Sequence, residues 1–285
     1  MSGASRCTIV GFIRDEAPYL LEWVAWYRLL GTDRLVIYDN ASSDAGPALL
    51  AALDAAGEIV ARTWPDQPGV APQIPIYEDA VRRCETEWIG FLDIDEFAVL
   101  PRDGTLPALL ARMPVDCGAV VLNQRVVGTN GHMVYKPGLV NERFPRGSGE
   151  ELWFNQWVKS IARAKWVHAP APHHPALTAG RTLMADGAEV AIEEGQRAPR
   201  VSHEMAYYNH FVLKSTEEYL RKRLRGCSLT PPDAADRMGK YTDAFFRAHD
   251  IAAHEDPRAA AMLPALRAEM ARLAAILARA GVAVP

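Results

Sequence analysis

At 285 residues, 49% hydrophobic and 23% charged, the chain is long enough for one large globular domain, or a domain with an appendage. A formal net charge of −4 excludes the basic footprint of a general nucleic-acid binder, and no apolar run reaches membrane-spanning length. Cys7, Cys84, Cys117 and Cys227 are scattered without a Cys-x-x-Cys pair, which argues against zinc. Together with the lack of a leader-like N-terminus, this makes a reduced cytoplasmic protein the expectation, with peripheral membrane association left open.

The run Cys7–Ile13 reads as a first strand, with Arg14, Asp15 and Glu16 at its end. Asp15 is the expected N-cap of a helix whose first turn holds Pro18. Leu20, Trp23, Val24, Tyr27 and Leu30 recur at helical spacing as core, and Gly31 ends the helix. Residues 34–38 form a second strand that ends in Asp39-Asn40-Ala41-Ser42-Ser43-Asp44. A helix through Leu53 and a third strand from Ile59 to Thr63 follow. This alternation builds a mainly parallel sheet flanked by helices. Gly-x-Gly-x-x-Gly and Walker-type loops are both absent, so a nucleotide would meet Asp39 or Asn40 through its base and ribose.

Residues 64–75, rich in Pro and Gln, read as loop, and 76–84 as helix. Trp88 to Leu92 is then a buried strand running into Asp93, Asp95 and Glu96. On an extended backbone, residues two apart point the same way, so Asp93 and Asp95 are expected to converge. Two convergent carboxylates call for a cation, and Mg²⁺ or Mn²⁺ suits oxygen ligands and phosphate. Further on, a helix is expected around 106–113 and a strand over 119–127, broken at Gly128 to His132. Residues 143–151 read as a mobile loop over the site, 157–166 as a strand, and 176–199 as short hairpins. His173 and His174 are read as structural or acceptor-side, with no ligand role. After the strand-like run Tyr207–Phe211, Ser215 and Glu218 form a capping box, whose helix ends at Gly226. A last amphipathic helix carries Met262, Leu266, Met270, Leu273 and Leu277, with packing on its own domain expected over dimerisation. The domain expectation is 1–230, divided into a nucleotide-binding half (1–100) and an acceptor half (101–230), plus a helical extension at 231–285.

These pieces in this order resemble the nucleotide-sugar glycosyltransferases of the GT-A fold, and more narrowly their families 2 and 92. The resemblance rests on Arg14-Asp15-Glu16, Val36 to Asn40 with Ser42 and Asp44, and Trp88 to Phe97. It continues through Gly128 to His132, Leu139 to Phe144, Lys159-Ser160-Ile161 and Asn209 to Ser215. It implies a Rossmann-like α/β fold and an inverting, metal-dependent transfer from a nucleotide sugar, UDP-linked first, to a saccharide or other hydroxyl acceptor. By the same resemblance, Arg14, Glu16, Asp39 and Asn40 would hold the nucleoside, and Asp93 the ribose or a metal-bound water. Asp95 and His210 would complete the metal site with Asp93, and Lys214 would meet the departing diphosphate. Inversion needs one carboxylate base. Glu142 is the first choice for it, Glu151 the second, and Asp186 a further alternative. Two competing readings are a non-catalytic nucleotide-sugar binder and a haloacid-dehalogenase-type phosphatase. Against the phosphatase, Phe97 replaces the small residue expected after its Asp-x-Asp, and the motif arrives after three strands.

Overall fold

The computed structural model describes residues 6–285. The chain opens with β1 (Cys7–Ile13), α1 (Ala17–Leu29), β2 (Arg34–Asp39), α2 (Gly46–Ala55), β3 (Val60–Thr63), α3 (Gln73–Arg82), β4 (Trp88–Phe91) and β5 (Glu96–Val99). It continues through α4 (Leu106–Ala111), β6 (Cys117–Val126), α5 (Val140–Arg143), β7 (Arg146–Gly147), β8 (Val158–Arg163), β9 (Val167–Ala169), β10 (Ala176–Leu177), β11 (Arg181–Met184), β12 (Tyr207–His210) and α6 (Thr216–Arg225). The C-terminal part holds α7 (Asp243–His249), β13 (His254–Glu255), α8 (Pro257–Ala260) and α9 (Leu263–Arg279).

The main sheet runs β3-β2-β1-β4-β8-β6-β12-β5, with β11 also paired to β6. Strands β1 to β4 are mutually parallel, and β6 and β12 point the same way, while β8 and β5 are antiparallel insertions. This is the mixed, mainly parallel α/β sheet that the alternating pattern predicts. Its geometry fixes the site. The C-terminal ends of β1, β2, β4, β6 and β12 and the first residues of β8 and β5 all come to one edge, where open α/β sheets take their ligands.

Helix α1 is buried on nearly every side because it lies between the sheet and α9. Leu266, Leu273 and Leu277 of α9 join the same core as Leu20, Trp23 and Val24, and Arg28 bonds Glu269 at 2.7 Å across the contact. The aromatic residues of α1 are core, as their spacing predicts, and their polar ends also tie down the acidic segment. Trp23 Nε1 donates to the Asp93 carbonyl at 3.0 Å, Trp26 Nε1 to Ala98 at 2.8 Å, and Tyr27 Oη to Glu96 at 2.9 Å.

Several local expectations are corrected. Asp15 does not cap α1: its backbone is left-handed (φ 53°) and its carboxylate accepts from Ser43, while Asp44 accepts from the first helical N–H, Ala17, at 2.8 Å. Helix α3 begins at Gln73, inside the expected loop. Segment 143–151 is not a loop over the site. Arg143 is buried against Glu218, β7 pairs with β13, and Ser148 is bonded to Asn155. The sequence does not reveal the strand β5, because four residues between the acidic turn and Leu100-Pro101 leave too short a pattern to read.

Candidate functional site

A cavity of about 430 Å³ opens at this edge of the sheet. Its floor is the turn after β4. The extended backbone expected at Asp93 and Asp95 is not what forms: they lie in a turn closed by Glu96 N–H donating to the Asp93 carbonyl at 2.9 Å. The turn sends the two carboxylates to different lysines. Lys159, 1% exposed at the start of β8, lies 3.0 Å from Asp93 and 2.9 Å from Glu96. Burial alone would lower its ammonium pKa, but Asp93 and Glu96 hold it well above the ordinary value. Lys222, from α6, bonds Asp95. Burial opposes the Asp95 charge, yet the ammonium groups of Lys222 and Lys214 outweigh it, and the carboxyl lies far below its usual range.

His210 ends β12 in register with Glu96 of β5. Its Nδ1 is 2.6 Å from Gln124 Oε1, and the Gln124 amide is oriented by donating to Phe154 O at 3.1 Å. A carbonyl oxygen only accepts, so Nδ1 carries the proton and Nε2 presents a lone pair. Burial holds this imidazole well below its ordinary pKa, against the pull of Asp95, so it is neutral. Nε2 stands 3.8 Å from Asp95 Oδ1.

Two acceptors facing one space are the chemistry of a cation site. A pair of protein ligands suits Mg²⁺ or Mn²⁺ when phosphate oxygens and water complete the shell. The three-ligand set read from the sequence is not assembled. Among the described residues, no three His, Cys, Asp or Glu side chains come together to hold a metal, and Asp93 is turned to Lys159.

On the β1–β2 side, Arg14 makes a two-pronged bond to Asp66 at 2.7 and 2.8 Å and reaches Asn40 at 3.3 Å, while Asn40 donates to Asp66 at 3.1 Å. Arg225 of α6 donates to the Arg14 carbonyl at 2.6 Å and to Glu16 at 3.1 Å. Phe154, Trp157, Tyr241 and Phe245 also line the cavity. The cavity thus joins a polar wall, a cationic strip of Lys222 and Arg225, and an aromatic wall.

Residues 7–181 match the sequence profile of glycosyltransferase family 92. The chain belongs to glycosyltransferase family 92. A family 92 protein of Oryza sativa subsp. japonica is 34% identical over 111 residues, covering 38% of this chain and 18% of that protein. One of Ricinus communis is 35% identical over 98 residues, covering 33% and 17%. The match thus spans less than a fifth of the length of these two relatives. Among solved structures, a mannosyltransferase from Pyrobaculum calidifontis in complex with GDP-Man and Mn²⁺ aligns over 99% of this chain and 77% of its own. It is 15% identical, with a TM-score of 0.44. TarS of S. aureus aligns over 95% and 83%, also 15% identical, with a TM-score of 0.41.

In this family 92 chain, Arg14, Glu16, Asn40, Asp93, Asp95 and His210 all line the cavity. Five other sequence candidates do not. Asp39 folds back to accept from Ser42 N–H at 3.2 Å. Lys214 is buried with its ammonium 4.2 Å above the Tyr19 ring, in a left-handed backbone (φ 57°), and Lys222 and Arg225 occupy the cavity wall instead. Glu142 pairs with Arg267 of α9 at 2.5 Å, and Glu151 is 75% exposed beside His254. Asp186, the further alternative, bonds Arg200 at 2.5 Å. Glu142 and Glu151 face partners, Arg267 and His254, that the folding of distant segments brought to them. Sequence reasoning missed Asp66 and Arg225 and gave Gln124 no role. Arg225 carried a signal, since it falls three residues after Lys222 on one helix face.

Proposed function

We propose that this chain transfers a sugar from a nucleotide diphosphate sugar, a UDP-sugar first, to an acceptor hydroxyl with inversion, in the GT-A manner. The observation that carries the reading is the convergence of Asp95, His210 and Lys222 at the strand edge, beside the polar wall of Arg14, Glu16 and Asn40. In this reading Arg14, Glu16 and Asn40 hold the nucleoside, and Lys222 and Arg225 face its diphosphate. Asp95 and His210 would hold a divalent ion that neutralises the departing nucleoside diphosphate. As the diphosphate leaves, Lys222 exchanges its bond with Asp95 for one with a phosphate oxygen, adding positive charge where negative charge develops. The aromatic wall of Phe154, Trp157 and Phe245 presents flat apolar faces to an acceptor saccharide.

Calorimetric titration with UDP and GDP, with and without Mn²⁺, followed by assay of nucleoside diphosphate release from the corresponding sugars, tests the reading. Binding of at least one diphosphate that strengthens with Mn²⁺, followed by sugar transfer, is expected. Binding without release from any sugar nucleotide would make the chain a binding protein instead.

A further inference from the structure

Resting on the glycosyltransferase reading, we propose that His173 is the general base that takes the proton of the acceptor hydroxyl. The acids that line the cavity are all engaged by cations. Glu16 bonds Arg225, Asp93 and Glu96 share Lys159, and Asp95 bonds Lys222. Each of these carboxylates therefore spends its lone pairs on a fixed cation and not on an incoming hydroxyl.

His173 is placed differently. It lines the cavity, and its Nδ1 lies 3.0 Å from the carbonyl of Val158, the first residue of β8 and the neighbour of Lys159. That carbonyl can only accept, so Nδ1 carries the proton and Nε2 holds the lone pair. Among the described residues no hydrogen bond engages Nε2, and His173 lines the cavity. The backbone is fixed as well: Ser160 Oγ donates to the His173 carbonyl at 2.8 Å, and Pro172 and Pro175 flank the histidine pair. Burial, then the charge of Lys159, lowers the imidazole to about 4, so it is unprotonated at neutral pH. His249 also lines the cavity with its Nδ1 tied to a carbonyl, but its ring is stacked on Phe245 of its own helix, α7.

Across the sheet the order is nucleoside wall on β1 and β2, acidic turn after β4, and His173 against β8. Lys222 and His173 line the same cavity, so a donor diphosphate at Lys222 and an acceptor hydroxyl at His173 share one space. In the step, the acceptor oxygen bonds to the anomeric carbon as its proton passes to Nε2. The bond from that carbon to the diphosphate oxygen breaks, and the electron pair leaves with the phosphate. The imidazolium then returns its proton to water.

The test is His173→Asn, which keeps an N–H for the Val158 carbonyl and removes the lone pair. With UDP-glucose, UDP-galactose and GDP-mannose, Mn²⁺ and a panel of saccharide acceptors, kcat falls about 10²- to 10⁴-fold. The KM for donor and calorimetric UDP affinity stay within about twofold, and added imidazole restores part of the rate to His173→Gly. An active wild type with a variant kcat within about tenfold, or loss of UDP binding together with the rate, overturns the base assignment alone. A wild type that transfers from no donor overturns the underlying reading, and the base with it.

Discussion

His210 Nε2 stands 3.8 Å from one oxygen of Asp95 while Lys222 bonds the other. One carboxylate thus serves a fixed cation and faces a neutral imidazole at the same time. Asp95→Asn keeps the volume and removes the charge, so Mn²⁺-dependent UDP binding should disappear. Calorimetry with Mn²⁺ and with EDTA measures it; equal affinity in wild type and variant would remove Asp95 from any metal role.

Lys159 is the sole cation within bonding distance of both Asp93 and Glu96 among the described residues. Lys159→Met leaves the buried Glu96 carboxylate without its cation, with only the Asp93 N–H still donating to it, and loss of one member of a buried pair costs about 3–5 kcal/mol. A thermal midpoint lower by about 10 °C is expected, and adding Glu96→Gln should recover part of it. No recovery in the double variant would mean that the two side chains are not coupled.

Glu218 supplies the acid limit of stability for α6. Burial works against its charge, yet bonds from Arg143, Ser215 and Tyr19 bring the carboxyl down to about 2. A carboxyl lowered on folding stabilises above its unfolded value and loses that contribution as pH falls toward the folded one. Glu218→Gln should therefore be less stable than wild type by about 3 kcal/mol at neutral pH, because Arg143 keeps no counter-charge. The gap should close between about pH 4.5 and 2, read by urea unfolding at a series of pH values. A gap that is constant across that range would show that the carboxylate charge is not its source.

Glu142 is half-exposed on the contact with Arg267, and Glu151 is 75% exposed. Glu142→Ala and Glu151→Ala should each keep kcat within about twofold of wild type in the transfer assay. A hundredfold loss in either would return the base to the carboxylate that the family resemblance suggests.

The strands of the first half are legible as short continuous apolar runs and the helices by their 3.6-residue spacing, both broken by Gly31, Gly57 and turn residues. The capping box at Ser215 and Glu218 was legible for the same local reason, and both of its bonds are present. Arg143 and Tyr19, which complete the Glu218 cluster, were not, because each comes from at least 75 residues away. Segment 143–151 was misread as a loop over the cavity since its polar composition does not reveal partners in β13 and α6.

What the sequence determined by itself was the order of elements and the placing of Asp93 and Asp95 just beyond a buried strand, because backbone periodicity and turn chemistry act over a few residues. The tertiary structure decided which charge faces which. Antiparallel insertion of β8 brings Lys159 between Asp93 and Glu96, and the register of β12 on β5 sets His210 against Glu96, near Asp95. Pairings of that kind depend on strand register between distant segments, where a slip of one residue sends every side chain to the opposite face.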